Sequence, residues 1–376
     1  MRIMSCLRAM FVLGAINAST AFAVIDSNAP VVKLRDLANG GCTEAGVGLN
    51  NCFESITTLN SWVSSTRKPT ATTPLLVEIG PGKFLGQFSC DKADYAGYVT
   101  LQGAGMLNTA IEAGSAPVNT NQCVQMHFSD MTLRNTQNLF GVQNLGGSTF
   151  WNNVHIDGLG YAWFDRANAC GTAYTRGTHY WFNSKITSRT IAGSSTAYFN
   201  ACDESWFFGS EITSNATVSD GRNRTIAAVG GEVHVYGSVI RSLSGPGITT
   251  SSAVAVSAVG TGKVHIHGTG IDVISTDANN ISALSASNGG EIHANVSSYN
   301  LTTGSGGTVT RISNTGGHVH APYLWQEHPT PPSIISQDGA DTAVVTSATG
   351  GTPRFVIYST ACPSKWFDVG SNACRP

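Results

Sequence analysis

Short alternations of apolar and polar residues recur along the chain, each closed by a glycine or a small polar residue. Four segments align without gaps: GEVHVYGSVI (231–240), GKVHIHGTGI (262–271), GEIHANVSSY (290–299) and GHVHAPYLWQ (317–326), with starts 31, 28 and 27 residues apart. Earlier segments fit the second half of this template: HFSDMTL (127–133), WNNVHI (151–156), WFNSKI (181–186) and WFFGSEI (206–212). A second short apolar stretch ended by glycine precedes each late repeat, in TIAAVGG, AVAVSAVGTG, ISALSASNGG and VTRISNTGG. A period of two is that of a strand, whose successive side chains point to opposite faces. A near-constant repeat of this length is that of a solenoid, in which each unit buries its apolar face on the next. The pattern predicts an all-β, single-stranded, right-handed parallel β-helix with about three strands per coil. Helical spacing is confined to FESITTLNSWV (53–63), which predicts a short helix capping the N-terminal end of the core.

In this register Val233, Val235, Val264, Ile266 and Ile292 face inward as aliphatic stacks. Asp130, Asn153, Ser184, Ser210, Ser238, Thr269 and Ser297 form a ladder of small polar residues at one bend, where side chains satisfy backbone groups the turn leaves unpaired. His234, His265, His293 and His320 each fall between two inward positions and are therefore sent outward, one coil (about 4.8 Å) apart. Such a ladder either captures a metal or is a solvated product of the repeat; the second is the commoner outcome, and no metal site is assigned. After Trp325 the pattern stops at HPTPPS, because proline cannot extend a strand ladder. The expected organisation is a signal peptide at 1–23, a β-helix domain with its N-terminal cap at 24–328, and a C-terminal capping tail at 329–376.

Composition narrows the setting. Arg2 and Arg8, the apolar run MFVLGAI (10–16) and the small-x-small triplet Ala21-Phe22-Ala23 read as an export signal, so the protein is expected outside the cytoplasm. No later stretch approaches the ~20 apolar residues of a membrane span. Losing Cys6 leaves eight cysteines, an even number that suits disulfides in an exported chain. Spacings of 33 and 32 residues, about one coil each, suggest Cys90–Cys123 and Cys170–Cys202, with Cys42–Cys52 and Cys362–Cys374 as local clips. Charged residues are only 12% and the net charge is −2 without any basic run, which excludes a nucleic-acid partner. No Gly-x-Ser-x-Gly, Walker or His-Glu-x-x-His motif occurs, and no cofactor is expected.

Residues 53–111 resemble the opening of pectin methylesterases and related pectate-lyase-like β-helices, in FESITTLNSWV, LLVEIGPGKFLGQF (75–88) and VTLQGAGMLNTAI (99–111); MHFSDMTLRNT (126–136) continues the likeness. The resemblance implies a capping helix, a strand ending in a Pro-Gly turn, and a strand followed by a Gly-rich turn. It does not carry the esterase reaction across. Where that family has Gln-Asp after a Gly-Tyr, this chain has Ala162 and Trp163 after Gly160-Tyr161; the second aspartate motif would fall at Ala197–Ala201, which holds no acid; and the Gly-Arg-Pro-Trp motif has no counterpart.

The stretch 151–206 is richest in aromatic and acidic residues. Asp165 lies 38 and 39 residues before Asp203 and Glu204, a coil plus a loop, so carboxylates able to act as acid, base or nucleophile would meet on one wall. Tyr161, Trp163, Arg166, Trp181 and Trp206 are the candidate sugar-binding residues, flat rings and a cation edged by polar groups. Three readings stay open, ranked in this order: an exported β-helix that binds an extended polysaccharide or surface glycan; a carbohydrate-active enzyme built on Asp165, Asp203 and Glu204; and a structural adhesin or envelope component.

Overall fold

A computed structural model of the chain describes residues 29–43, 51–91, 93–137, 140–165, 176–189, 194–216, 222–248, 253–277 and 279–321, together with the strands Thr342–Val345, Arg354–Tyr358, Trp366–Asp368 and Ala373–Cys374. The chain is a parallel β-helix. Each coil lays one strand in each of three sheets. The first sheet runs from Val31–Leu34 and Leu75–Ile79 through Thr178–Phe182, Glu204–Phe208 and Glu232–Tyr236 to His318–His320, and the second includes Lys185–Arg189, Glu211–Ala216 and Val239–Ser244. Ser148–Leu159 and Lys263–Ser275 pass through both sheets around a bend. The third sheet contains Phe140–Asn144, Tyr161–Asp165, Ser194–Asn200, Arg222–Ala228 and Ala253–Val259.

The expected aliphatic stacks are present. Val233, Val264, Ile292 and Val319 are partners in successive strands, and all are buried. The neighbouring inward column, Val235 and Ile266, is aromatic further toward the N-terminus. Phe128 stacks on Trp151 at 4.1 Å, Trp151 on Trp181 at 4.8 Å, and Trp181 on Phe207 at 5.4 Å, all within 10° of parallel. Trp163 and Tyr198 of the third sheet meet this column edge-on, Trp163 at 89° to Trp151. The core is thus a pile of parallel rings closed from the side by a second pile.

The bend between the first and second sheets is held by a left-handed residue followed by a hydroxyl. Asn183, Gly209, Gly237 and Gly268 have φ between 47° and 57°, a region in which glycine and asparagine are at ease. Behind them, Ser184 Oγ accepts from Val154 N at 3.2 Å, Ser210 Oγ from Ser184 N at 3.2 Å, and Ser238 Oγ from Ser210 N at 3.0 Å. The expected ladder is corrected at three places. Asp130 and Asn153 occupy the left-handed position itself (φ 56° and 54°), where Asn153 Nδ2 donates to Asp130 Oδ1 at 2.7 Å. A register shift sets Val296, not Ser297, opposite Thr269.

The helix Ile56–Trp62 begins at Ser55, whose hydroxyl accepts from Thr58 N, and buries Ile56 and Leu59. Asn60 Oδ1 accepts from Ser89 N and ties the helix to the strand Phe88–Cys90. Disulfides join Cys42 to Cys52 and Cys90 to Cys123, with Cα atoms 5.8 and 5.6 Å apart. Cys202 is disulfide-bonded, whereas Cys170 and Cys362 lie outside the described residues. The tail strands pair antiparallel in chain order, unlike the parallel coils. Among the described residues no helix is long and apolar enough to cross a membrane.

Trp151→Ala is expected to cost about 3–5 kcal/mol of unfolding free energy, because it removes a ring stacked on both faces. Trp151→Phe keeps the stack and should lose clearly less. Urea denaturation measures both; equal losses would show that ring stacking does not carry this part of the core.

Candidate binding face

Outward positions of the first sheet also form columns, since in-register strands superpose equivalent side chains. One column is unbroken over eight coils: His127, Phe150, Tyr180, Trp206, His234, His265, His293 and His320 are successive partners. Its rings pile up along the coil axis. Trp206 lies 3.8 Å from His234, and the next three separations are 4.7, 4.9 and 4.5 Å, all within 10° of parallel. A second column, two residues on, holds Phe182, Phe208, Tyr236 and His267, spaced 5.2, 5.4 and 4.8 Å. Two residues before the main column stand Glu204, Glu232, Lys263 and Glu291. The face is therefore a strip of half-buried rings bordered by carboxylates.

Polar edges and carboxylates are paired across the strip. Trp206 Nε1 donates to Glu204 Oε1 at 3.0 Å. Glu232 Oε1 lies 3.3 Å from His234 Nε2 and 3.0 Å from His265 Nε2, and Glu291 contacts His293 and Lys263. Burial, and then the neighbouring imidazole His265, hold His234 down to about 4; burial, then His293, lowers His265. Burial likewise lowers His267. Bonds from His293 and Lys263 hold Glu291 down to about 2. His234, His265 and His267 are thus held toward the neutral imidazole, and Glu291 toward the ionised carboxylate.

The acids singled out from the sequence come together, but inside the coil rather than in a groove. Asp165 and Asp203 have no exposed surface. Asp165 stands opposite Asn144, which stands opposite Asn121, so it occupies a rung of an internal amide ladder. Its Oδ2 accepts from Cys202 N at 2.9 Å and, longer, from Ala201 N and Asp203 N, holding the turn that follows Asn200. Asp203 Oδ1 accepts from Gly177 N at 2.8 Å, while its Oδ2 accepts from Asn144 Nδ2 at 2.6 Å and lies 2.9 Å from His179 Nε2. His179 Nδ1 is 2.7 Å from Thr149 Oγ1, which also accepts from Trp151 Nε1 at 2.6 Å. Hydroxyl, imidazole and carboxylate are in the order of a nucleophilic relay, yet all three residues are fully buried and no reacting group can reach the hydroxyl.

Two expected sugar platforms are corrected for the same reason. Trp163 and Trp181 are fully buried, each packed among other rings, because strand parity points them inward. Trp206 points outward, but its face is covered by His234, so it offers an edge rather than a flat platform. Tyr161 lies half-buried on the third sheet against Phe140 and Phe164. Glu204 is the one proposed acid on the outer face, and Arg166 lies outside the described residues. Composition had marked the region 151–206 but not the continuous outward column, which only the paired register reveals.

Two solved structures are similar to this chain. One is a mutant pectin methylesterase in complex with a hexasaccharide, at TM-score 0.37 and 10% identity, over 71% of this chain and 80% of that one. The other is the pectin methylesterase of Aspergillus niger in deglycosylated form, at TM-score 0.35 and 12% identity, over 77% and 86%. No protein-family model matches the sequence, and none of the curated proteins compared with it is significantly similar. The paired register of the coils establishes the parallel β-helix on its own, the scaffold that the resemblance of residues 53–136 implied.

His127, at the head of the column, is held down to about 4 by burial, with its ring against Phe150 and its Nε2 beside Gln125. The unfolded chain takes up this proton near the usual 6.5 and the folded chain resists it. Stability is therefore untouched above about pH 6.5 and falls as pH drops from there toward 4. Replacing it, as His127→Phe, should reduce the loss of denaturation midpoint between pH 7 and about pH 4.5. An unchanged loss would place the acid sensitivity elsewhere.

Proposed function

We propose that the chain is an exported β-helix that holds an extended polysaccharide or surface glycan along the first-sheet face, parallel to the coil axis, without performing the esterase reaction. The observation that carries this reading is the outward column from His127 to His320, bordered by Tyr236, His267 and the glutamates. A polysaccharide presents hydroxyls at a near-constant interval along a line. Ring edges carrying phenol, indole and imidazole groups, repeated once per coil at about 4.8 Å, supply donors and acceptors at a comparable interval. Recognition is then by hydrogen bonds to edges, since the ring faces are occupied by one another. Export is supported by the disulfides and by the signal-like residues 1–23.

The absence of the esterase motifs at Ala162, Trp163 and Ala197–Ala201 supports binding without de-esterification. The burial of Asp165 and Asp203 favours a structural role for these acids, which fix the turn between the third and first sheets. On this reading Asp203→Asn lowers the denaturation midpoint and leaves glycan affinity of the folded protein unchanged. An envelope or adhesin role without sugar binding is the remaining alternative.

Binding to immobilised neutral and acidic glycans tests the proposal. Trp206→Ala combined with Tyr236→Ala is expected to weaken binding at least about tenfold, roughly 1.4 kcal/mol, with the β-sheet circular dichroism retained. Failure of the wild-type protein to bind any extended glycan would discard it. Release of product that disappears in folded Asp203→Asn would establish the enzymatic reading instead.

A further inference from the structure

Two groups on the imidazole column bring metal-ligand atoms together: Glu232, His234 and His265, and Glu291, His293 and His320, each set lying within 4.8 Å of one another. In the first, a single carboxylate oxygen serves two imidazole nitrogens, with Glu232 Oε1 3.3 Å from His234 Nε2 and 3.0 Å from His265 Nε2. Glu204 Oε1 reaches the same His234 nitrogen from the preceding coil at 3.8 Å. His265 Nε2 is shielded from water, with Glu232 Oε1 beside it at 3.0 Å. One carboxylate oxygen and two imidazole nitrogens are thereby held around a single point on the outer face. Such a set of donor atoms suits a shared cation.

We propose that each of these clusters binds one Zn²⁺ ion through two imidazoles and one glutamate. Two nitrogens and one carboxylate oxygen suit a borderline divalent ion, and three protein ligands leave a fourth, open position. Zinc–nitrogen bonds of about 2.0–2.1 Å require the ligand atoms to close from the present spacing by roughly an ångström. Rotation of outward side chains supplies that movement without shifting a strand. The spacing comes from the fold itself: in-register strands hold consecutive imidazoles 4.5–4.9 Å apart, ring on ring. No comparable grouping arises where the column is Phe150, Tyr180 and Trp206, since those rings offer no such donor. Because the first ion lies between His234 and His265 and the second between His293 and His320, the two dications sit two coils, about 10 Å, apart, and the second is bound somewhat more weakly than the first.

This inference does not rest on the polysaccharide reading, because uptake of the ion is measured with no glycan present. Full-length mature protein is stripped with a chelator, dialysed against Zn²⁺ and assayed for bound metal, with calorimetric titration for affinity. Two ions per chain are expected, with the tighter affinity on the order of micromolar or better. His265→Gln and His320→Gln should each lower the count to one, and together to none, while the β-sheet circular dichroism is unchanged. Glu232→Gln should weaken the first site at least tenfold. Co²⁺ in place of Zn²⁺ should give visible absorption that fades in the same variants. A wild-type count below two, or a double variant that retains the wild-type count, overturns the assignment.

Discussion

Everything in this molecule depends on one constraint: each coil hydrogen-bonds to the next in parallel register, so that equivalent residues are superposed at one strand spacing. The constraint turns isolated side chains into columns. Inside, it stacks Phe128, Trp151, Trp181 and Phe207, and then Val235 and Ile266, into a core that no single coil of about thirty residues is able to build. At the bend it converts one hydroxyl per coil into a chain of bonds, each Ser Oγ accepting the backbone N–H of the coil before it. A buried polar turn is thereby satisfied without water.

The same superposition gives each outer face its own chemistry. The first sheet carries rings and carboxylates. The second carries alternating charges, with Arg134 between Glu112 and Asp157 at 3.1 and 3.0 Å, and Arg241 between Glu211 and Asp272 at 2.9 and 3.1 Å. Each exposed pair contributes little by itself, but alternation keeps like charges from piling up along the column. The third sheet carries rings at Phe140, Tyr161, Phe164 and Phe199, and then small hydroxyls such as Ser257, Ser285 and Ser313. Among the described residues, the first sheet combines aromatic, basic and acidic groups in one strip. The inner acids Asp165 and Asp203 serve the opposite purpose: sealed by backbone N–H donors, they hold a turn.

Much of this was legible in the sequence because the relevant signals are local. The alternation in GEVHVYG and its copies dictated strands, the repeat length dictated coils, and the outward placement of His234, His265, His293 and His320 followed from parity. What was not legible turned on single-residue register. WFNSKI and WFFGSEI look equivalent, yet Trp181 pairs with Phe207 and Trp206 with Tyr180, so one tryptophan is core and the other surface. A slip of one residue moves a side chain to the other face. The amide rung at Asp165 was hidden for a related reason. Asn121, Asn144 and Asp165 are separated by loops of varying length, and no fixed spacing marks them. Edge-on packing was likewise invisible, since it depends on rings from different sheets meeting edge to face.

Superposition itself is open to direct measurement by oxidative cross-linking of cysteine pairs. Tyr236→Cys with His267→Cys places two thiols on partner positions of adjacent coils; Tyr236→Cys with His265→Cys displaces one of them by two residues along the same strand. The account predicts that the first pair couples rapidly and nearly completely, and that the second couples slowly or not at all, as read by mass spectrometry of the linked peptides. Equal coupling of the two pairs, or failure of the first alone, would contradict stacking in this register.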